Sequence, residues 1–242
     1  MNIHWLEQVE ADVPMENQWL GPAETACLER LRFPKRRADW RLGRWTAKQA
    51  VIAYLGLPAG PGALANIEIR ATDSGAPEVF LTDQPAPVAI TLSHRAGLAL
   101  CALAPREATI GCDLETIESR SDAFVDDYFT PDEKTLVARA ETQDRPQLVT
   151  LLWSTKESTL KALRTGLRVD TTSVSVSLGQ LESAATISDH PCPLQNQLRS
   201  RGTNAEEWRP LHARYGSEQV FSGWWRVENH VVRTIVSAIA PS

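Results

Sequence analysis

No apolar run in the chain is long enough to cross a bilayer. The longest, Ala96 to Ala104, is nine residues, against about 20 for a transmembrane helix. The first residues, MNIHWLEQVEAD, lack a basic segment leading into an apolar one, so no signal peptide is expected and the cytoplasm is the default location. Cysteine is scarce. Cys27, Cys101, Cys112 and Cys192 form no CxxC pair, which excludes a zinc knuckle or disulfide framework and leaves buried thiols. His4, His190, His212 and His230 make no HxH or HExxH pattern, so no zinc site is expected. There is no low-complexity tract and no short repeat, which argues against a solenoid.

The 242 residues, 43% of them hydrophobic and 23% charged, suit one large globular domain or two smaller ones. The net charge of −5 argues against a dedicated nucleic-acid binder but conceals two opposed segments. Residues 30–48 carry eight basic side chains, among them Arg37, Arg41, Arg44 and Lys48, against Asp39 alone. Residues 107–133 carry nine acids against Arg120. Taken alone, either run is as readily a solvated surface as a binding face.

Strands and helices alternate. Ala23 to Leu31 and Ala38 to Leu55 read as helices, the second stopped by Gly56. Ile67 to Ala71 and Val79 to Leu81 read as strands around an Asp73-Ser74-Gly75 turn. Val88 to Leu92 and Leu98 to Ala104 read as strands joined through Ser93 to Gly97, and Thr109 to Leu114 as another. Thr130-Pro131-Asp132-Glu133 is a capping box. Gln147 to Leu163 is the longest helix candidate. Ser173 to Leu178, Val220 to Val227 and Val231 to Ile239 restore strand, and residues 182–216 read as loop. The expected class is α+β with mainly antiparallel sheet, divided near residue 108.

Asp113 and Glu115, two apart on a strand, project from one face. Adjacent anions repel unless a cation or shared proton compensates, and with oxygen ligands alone Mg²⁺ is the natural candidate. A solvated surface pair is the competing reading. Glu157 and Lys161 lie one turn apart on a helix. They are either a surface ion pair or a ligand and base beside a cation for a phosphate leaving group, and spacing does not choose.

The combined pattern resembles the 4'-phosphopantetheinyl transferases of the larger, surfactin-synthetase-activating (Sfp) type. Their G-x-D-x-E and W-x-x-K-E-x-x-x-K signatures are similar to Gly111-Cys112-Asp113-Leu114-Glu115 and Trp153-Ser154-Thr155-Lys156-Glu157-Ser158-Thr159-Leu160-Lys161. Ser93-His94, the Arg-rich stretch from Arg37 to Lys48 and Gly166-Leu167 extend the resemblance over residues 30–180. It implies transfer of the phosphopantetheine arm of coenzyme A to a serine of an apo acyl, peptidyl or aryl carrier protein, releasing adenosine 3',5'-bisphosphate. It also implies a pseudo-dimer of two similar α+β halves with a ligand cleft between them. Residues 1–108 would bind the coenzyme A phosphates and adenosine, and residues 109–242 would carry the metal and catalytic motifs. Asp113, Glu115 and Glu157 would hold Mg²⁺; Glu157 or a metal-bound water would take the serine proton; Lys161 would stabilise the departing bisphosphate. Arg37, Arg41, Arg44, Ser93 and His94 would hold coenzyme A. A monomer is implied, serving fatty-acid, polyketide or nonribosomal-peptide synthesis, with no nucleic-acid or membrane partner.

One departure stands out. Where such enzymes show Gly-Lys-Pro this chain has Gly75-Ala76-Pro77, so a lysine near the phosphates is missing, with Arg70 or Arg95 as substitutes. Two rival readings follow from the same residues: a Mg²⁺-dependent nucleotide phosphohydrolase, and a non-catalytic homologue that binds carrier proteins. Cys112 is expected to be a packed strand residue pointing away from the carboxylates.

Overall fold

A computed structural model of the chain describes residues 1–165, 168–179, 186–187, 208–217 and 219–238. In chain order its elements are β1 (Asn2–Val9), α1 (Pro22–Arg30), α2 (Pro34–Leu55), α3 (Pro61–Ala65), β2 (Ile67–Ala71), β3 (Pro77–Leu81), β4 (Gln84–Pro85), β5 (Val88–Arg95) and β6 (Leu98–Pro105). There follow β7 (Ile110–Thr116), α4 (Asp122–Tyr128), α5 (Pro131–Arg139), α6 (Arg145–Ala162), β8 (Val174–Ser177), β9 (Thr186–Ile187), β10 (Arg209–Tyr215), β11 (Gln219–Glu228) and β12 (Val231–Ala238). The arrangement is α+β, and the strand pairs β1–β6, β5–β6, β2–β3, β7–β12, β11–β12, β10–β11 and β8–β10 are all antiparallel.

Chain contacts divide the molecule into two units. Among the described residues, one comprises Asn2–Ala108 with Ile187; the other comprises those from Thr109 to Thr186 and from 208 to 238, with Met1. In the first, β5-β6-β1 and β2-β3-β4 form the sheet strands. The core there gathers Leu6, Leu28, Val51, Ile69, Ile90 and Leu103 between α2 and the sheet. In the second, the order β7-β12-β11-β10-β8 places β7 at an edge. Helix α6 packs on β7 and β12, and Leu151, Leu160, Val174, Phe221 and Val236 close the core.

Local chemistry explains the element ends. Pro34 opens α2, where a missing N–H costs nothing. Gly56 ends it in the left-handed region at φ 64°. Thr130 Oγ1 accepts from the Glu133 amide and Glu133 Oε2 accepts from the Thr130 amide, so the capping box expected at α5 is formed.

Several expectations need correction. Among the described residues the longest helix is α2, with 22 residues, and not α6, with 18. Strand β5 continues through Ser93, His94 and Arg95, so the β5–β6 connection shrinks to Ala96 and Gly97, both at positive φ. Two-residue turns of that kind match the twist of paired strands. Residues 182–216 are not loop throughout, because β10 occupies Arg209–Tyr215. The stretch 188–207, with His190 and Cys192, lies outside the described residues, as do Gly166, Leu167 and Ile239. No helix among the described residues is long and apolar enough to cross a membrane.

Each unit anchors its long helix with the same device. In the second unit Lys156 of α6 is fully buried, 2.9 Å from Glu133 Oε2, and its ammonium also donates to the carbonyls of Thr171 and Val174. Glu133 Oε1 accepts from the amide of Val176 on β8 at 2.8 Å. In the first unit Lys48 of α2 is fully buried, 2.5 Å from Glu24 Oε2, and donates to the carbonyls of Trp19 and Leu64. Glu24 Oε1 accepts from the amide of Ile69 on β2 at 3.1 Å. Both glutamates stand three residues after their helix caps, and both lysines follow a tryptophan by three positions, Trp45 and Trp153. Burial lowers the pKa of each lysine, and its glutamate opposes that shift.

Candidate functional site

In the second unit the two sequence motifs lie on β7 and α6, and a glycine sets their separation. A Cβ at Gly111 would stand 1.9 Å from the carbonyl oxygen of Ser158 and 2.7 Å from the amide of Ala162. Only a residue without a side chain lets α6 approach β7 this closely. The contact seats the start of β7 on the last two turns of the helix, and further along the strand Asp113 meets Lys161 and Ser154 and Glu115 meets Trp153.

Asp113 is 4% exposed. Its Oδ1 accepts from Lys161 Nζ at 2.7 Å and its Oδ2 from Ser154 Oγ at 2.9 Å. Glu115 Oε1 accepts from the indole N–H of Trp153 at 3.3 Å. That indole is walled by Phe124 and Tyr128 of α4, with ring centroids 5.1 and 5.2 Å away. Glu157 has its pKa raised from 4.5 to about 6, first by burial and then by the charge of Asp113, with Lys161 opposing and Glu115 adding. Burial works to lower the Lys161 pKa, but Asp113, the Cys112 thiol and Glu157 together outweigh it and raise it. Asp113, Glu115, Glu157 and Lys161 therefore share one electrostatic neighbourhood. Cys112 is fully buried.

Among the described residues no group of three or more His, Cys, Asp and Glu side chains is placed to hold a metal ion. In donor chemistry the three carboxylates fit a hard divalent cation, since two of them already raise the proton affinity of the third. As they stand they do not close a shell around one, because Asp113 is engaged by Lys161 and Ser154.

In the first unit, Arg44, Ser93 and His94 line one cavity of about 230 Å³ together with Gly43, Gly75 and Pro77. The Arg44 side chain is 19% exposed, lies over the Trp40 ring at 5.0 Å and stands 3.9 Å from Glu24 Oε1. Its Nε is buried without a hydrogen bond. Burial lowers its pKa, and Glu24 counters that. Asp39, paired with Lys35 at 2.9 Å, lines the hollow as well, so a guanidinium, a hydroxyl and an imidazole stand against one already paired carboxylate, a balance that admits an anion such as a phosphate group.

Arg37 and Arg41 do not line this cavity. Arg37 Nη1 donates to the carbonyls of Leu28 at 2.6 Å and Leu31 at 3.2 Å, closing the end of α1. Arg41 donates to Asn17 Oδ1 and to the carbonyls of Pro14 and Met15. Nor do Arg70 and Arg95 line it. Arg70 is held by Glu68 and Asp83 and stacked on Phe80 at 4.2 Å.

The sequence reading gave no role to Ser154, Ser158 and Thr234, which are fully buried behind Asp113. A signal was present in α6, where Ser154, Thr155, Ser158 and Thr159 crowd a helix interior that such residues rarely favour.

The model of the 4'-phosphopantetheinyl transferase superfamily matches residues 109–208. This stretch carries both motifs, and by that match the chain is a transferase; phosphopantetheinyl transfer is the chemistry for which the matched superfamily is named. Among solved structures, the holo-[acyl-carrier-protein] synthase of Helicobacter pylori in complex with coenzyme A is similar at 19% identity, covering 43% of this chain and 98% of that one. Its TM-score is 0.30, and the likeness carries no argument here. No curated protein matches the chain.

Proposed function

We propose that the protein transfers the 4'-phosphopantetheine arm of coenzyme A to a serine of an apo carrier protein, as a transferase of the two-halved Sfp type. The observation that carries this reading is the meeting of β7 and α6, where Lys161 binds Asp113 at 2.7 Å and Glu157 is pushed to a pKa of about 6 by burial, Asp113 and Glu115. The repeated lysine–glutamate anchor supports two similar halves.

In the reaction, the serine oxygen forms a bond to the phosphorus of the phosphopantetheine arm as the bond to adenosine bisphosphate breaks. Glu157 would accept the serine proton, and a base with a pKa near the working pH is suited to that task, worth about 10² to 10⁴-fold. Lys161 would offset the charge gathering on the departing bisphosphate. Arg44, Ser93 and His94 would hold a phosphate of the co-substrate in the first-unit cavity, while Arg37 and Arg41 are engaged with the backbone carbonyls of Leu28, Leu31, Pro14 and Met15. Asp113, Glu115 and Glu157 would hold Mg²⁺, which when bound draws charge from the diphosphate.

Incubation with coenzyme A, Mg²⁺ and an apo carrier protein, followed by mass spectrometry of the carrier, tests the reading. A phosphopantetheine increment is expected. Coenzyme A cleavage with unmodified carrier would point to the phosphohydrolase, and carrier binding without reaction to the non-catalytic homologue.

A further inference from the structure

Behind the candidate site, three hydroxyls form a chain that never meets solvent. Thr234 of β12 stands directly across the strand pair from Asp113. Ser154 and Ser158, one turn apart on α6, reach down to it. Ser154 Oγ is 2.9 Å and Ser158 Oγ is 2.5 Å from Thr234 Oγ1, and Thr234 Oγ1 is also 3.0 Å from the Ser154 carbonyl oxygen. All three residues are 0% exposed.

The direction of the chain follows from donor counting. An ionised carboxylate only accepts, so the Ser154 proton points to Asp113 Oδ2, 2.9 Å away. Ser154 then has no proton left for Thr234. The single Thr234 proton has two acceptors on Ser154, the carbonyl oxygen at 3.0 Å and Oγ at 2.9 Å, and Ser158 Oγ lies 2.5 Å from Thr234 Oγ1 and 3.4 Å from the Thr234 carbonyl oxygen to which it donates. These contacts hold Ser154 against one carboxylate oxygen. They fix the plane of the carboxylate and commit Oδ2 to the interior. Oδ1, the oxygen on which Lys161 rests, is left as the face that meets cations.

We propose that Thr234 is a positioning residue for Asp113. Through Ser154 it decides which carboxylate oxygen is presented to a divalent cation, so it tunes cation affinity without touching cation or substrate. The inference rests on the reading of Asp113, Glu115 and Glu157 as the cation's ligands.

The test compares wild type with Thr234→Val, which keeps shape and branching but removes the hydroxyl, and Thr234→Ser, which restores it. Mn²⁺ binding to the full chain is followed by electron paramagnetic resonance, with circular dichroism as the check on folding. Groups that orient metal ligands typically carry 10- to 100-fold in affinity. T234V is expected to weaken Mn²⁺ binding about 10-fold, and T234S to stay within about twofold of wild type, a rescue that packing alone would not produce. Ser158→Ala, which shortens the chain at its far end and leaves the strand pair untouched, should shift affinity in the same direction by less, and it serves if T234V fails to fold. Equal Mn²⁺ affinity in wild type and folded T234V, or in wild type and S158A where T234V does not fold, overturns the inference while leaving the ligand reading intact. Failure of wild type to bind Mn²⁺ at millimolar concentration overturns the ligand reading and the inference with it.

Discussion

Replacing Glu157 by glutamine should stabilise the metal-free protein at neutral pH and abolish its activity. In the folded chain the Glu157 pKa is raised from 4.5 to about 6, by burial first and then by Asp113 and Glu115. A carboxyl raised in this way favours the folded state fully below its unfolded pKa, and that contribution is lost as pH climbs through the folded value. Ionising it above that pH therefore costs the fold about 2 kcal/mol if the site were dry. The side chain is only half-buried, so solvent screening trims this to about 1 kcal/mol. Glutamine keeps the shape and removes the charge. By differential scanning calorimetry in a chelating buffer at pH 7.5, E157Q should melt about 2 to 4 °C above wild type, the size expected for 1 kcal/mol in a chain of this length. Near pH 4.5 the difference should vanish. Millimolar Mg²⁺ should raise the wild-type melting temperature and leave E157Q nearly unmoved, which reverses their order. If E157Q instead melts below wild type by a similar margin at both pH values, the carboxylate is not strained by burial and its neighbours, and its assignment as the base loses its basis.

The other expectations concern packing and phosphate binding. Gly111→Ala pushes a Cβ to 1.9 Å from a helix carbonyl, so it should lower stability by about 3 kcal/mol and remove transfer activity, read from calorimetry and carrier mass. Lys156→Met leaves Glu133 buried and unpaired and should cost about 3 to 5 kcal/mol, whereas Lys35→Ala, on a lysine whose side chain is 82% exposed in its pair with Asp39, should leave calorimetry unchanged. Arg44→Ala removes a charged donor from the cavity and should raise the KM for coenzyme A about 10-fold or more. Arg37→Ala should lower the melting temperature by several degrees while holding that KM within about twofold, because its guanidinium serves the end of α1.

The strands and helices with strong apolar periodicity were legible from the residues: α5 with its capping box, α2 with Gly56 beyond it, and the β11–β12 hairpin. Strand β1 was not, because Glu7 and Gln8 interrupt the apolar pattern of Ile3, Trp5 and Leu6. Strand β10 hid for the same reason, its Leu211 and Ala213 lying among Arg209, Pro210, His212 and Arg214. In the candidate site, motif spacing placed Asp113, Glu115, Glu157 and Lys161 as candidates, but the residue types alone could not say that Asp113 faces Lys161 and Ser154. That depends on the close approach at Gly111 and on the register of β7 against β12, which are matters of packing. The arginines of α2 show the opposite limit. Charge marked all of them alike, and only the tertiary contacts separate Arg44, at the cavity, from Arg37 and Arg41, which hold backbone carbonyls.

The anchor shared by Lys48 and Lys156 changes what the string W-x-x-K-E is evidence for. Its tryptophan and lysine recur at Trp45 and Lys48 ahead of Gln49, where the acid is absent, and there the lysine still locks a helix to a sheet. In this chain the lysine serves architecture in both units. The proposed chemistry rests on the glutamate after it, so a variant that kept the first and lost the second should be well folded and silent.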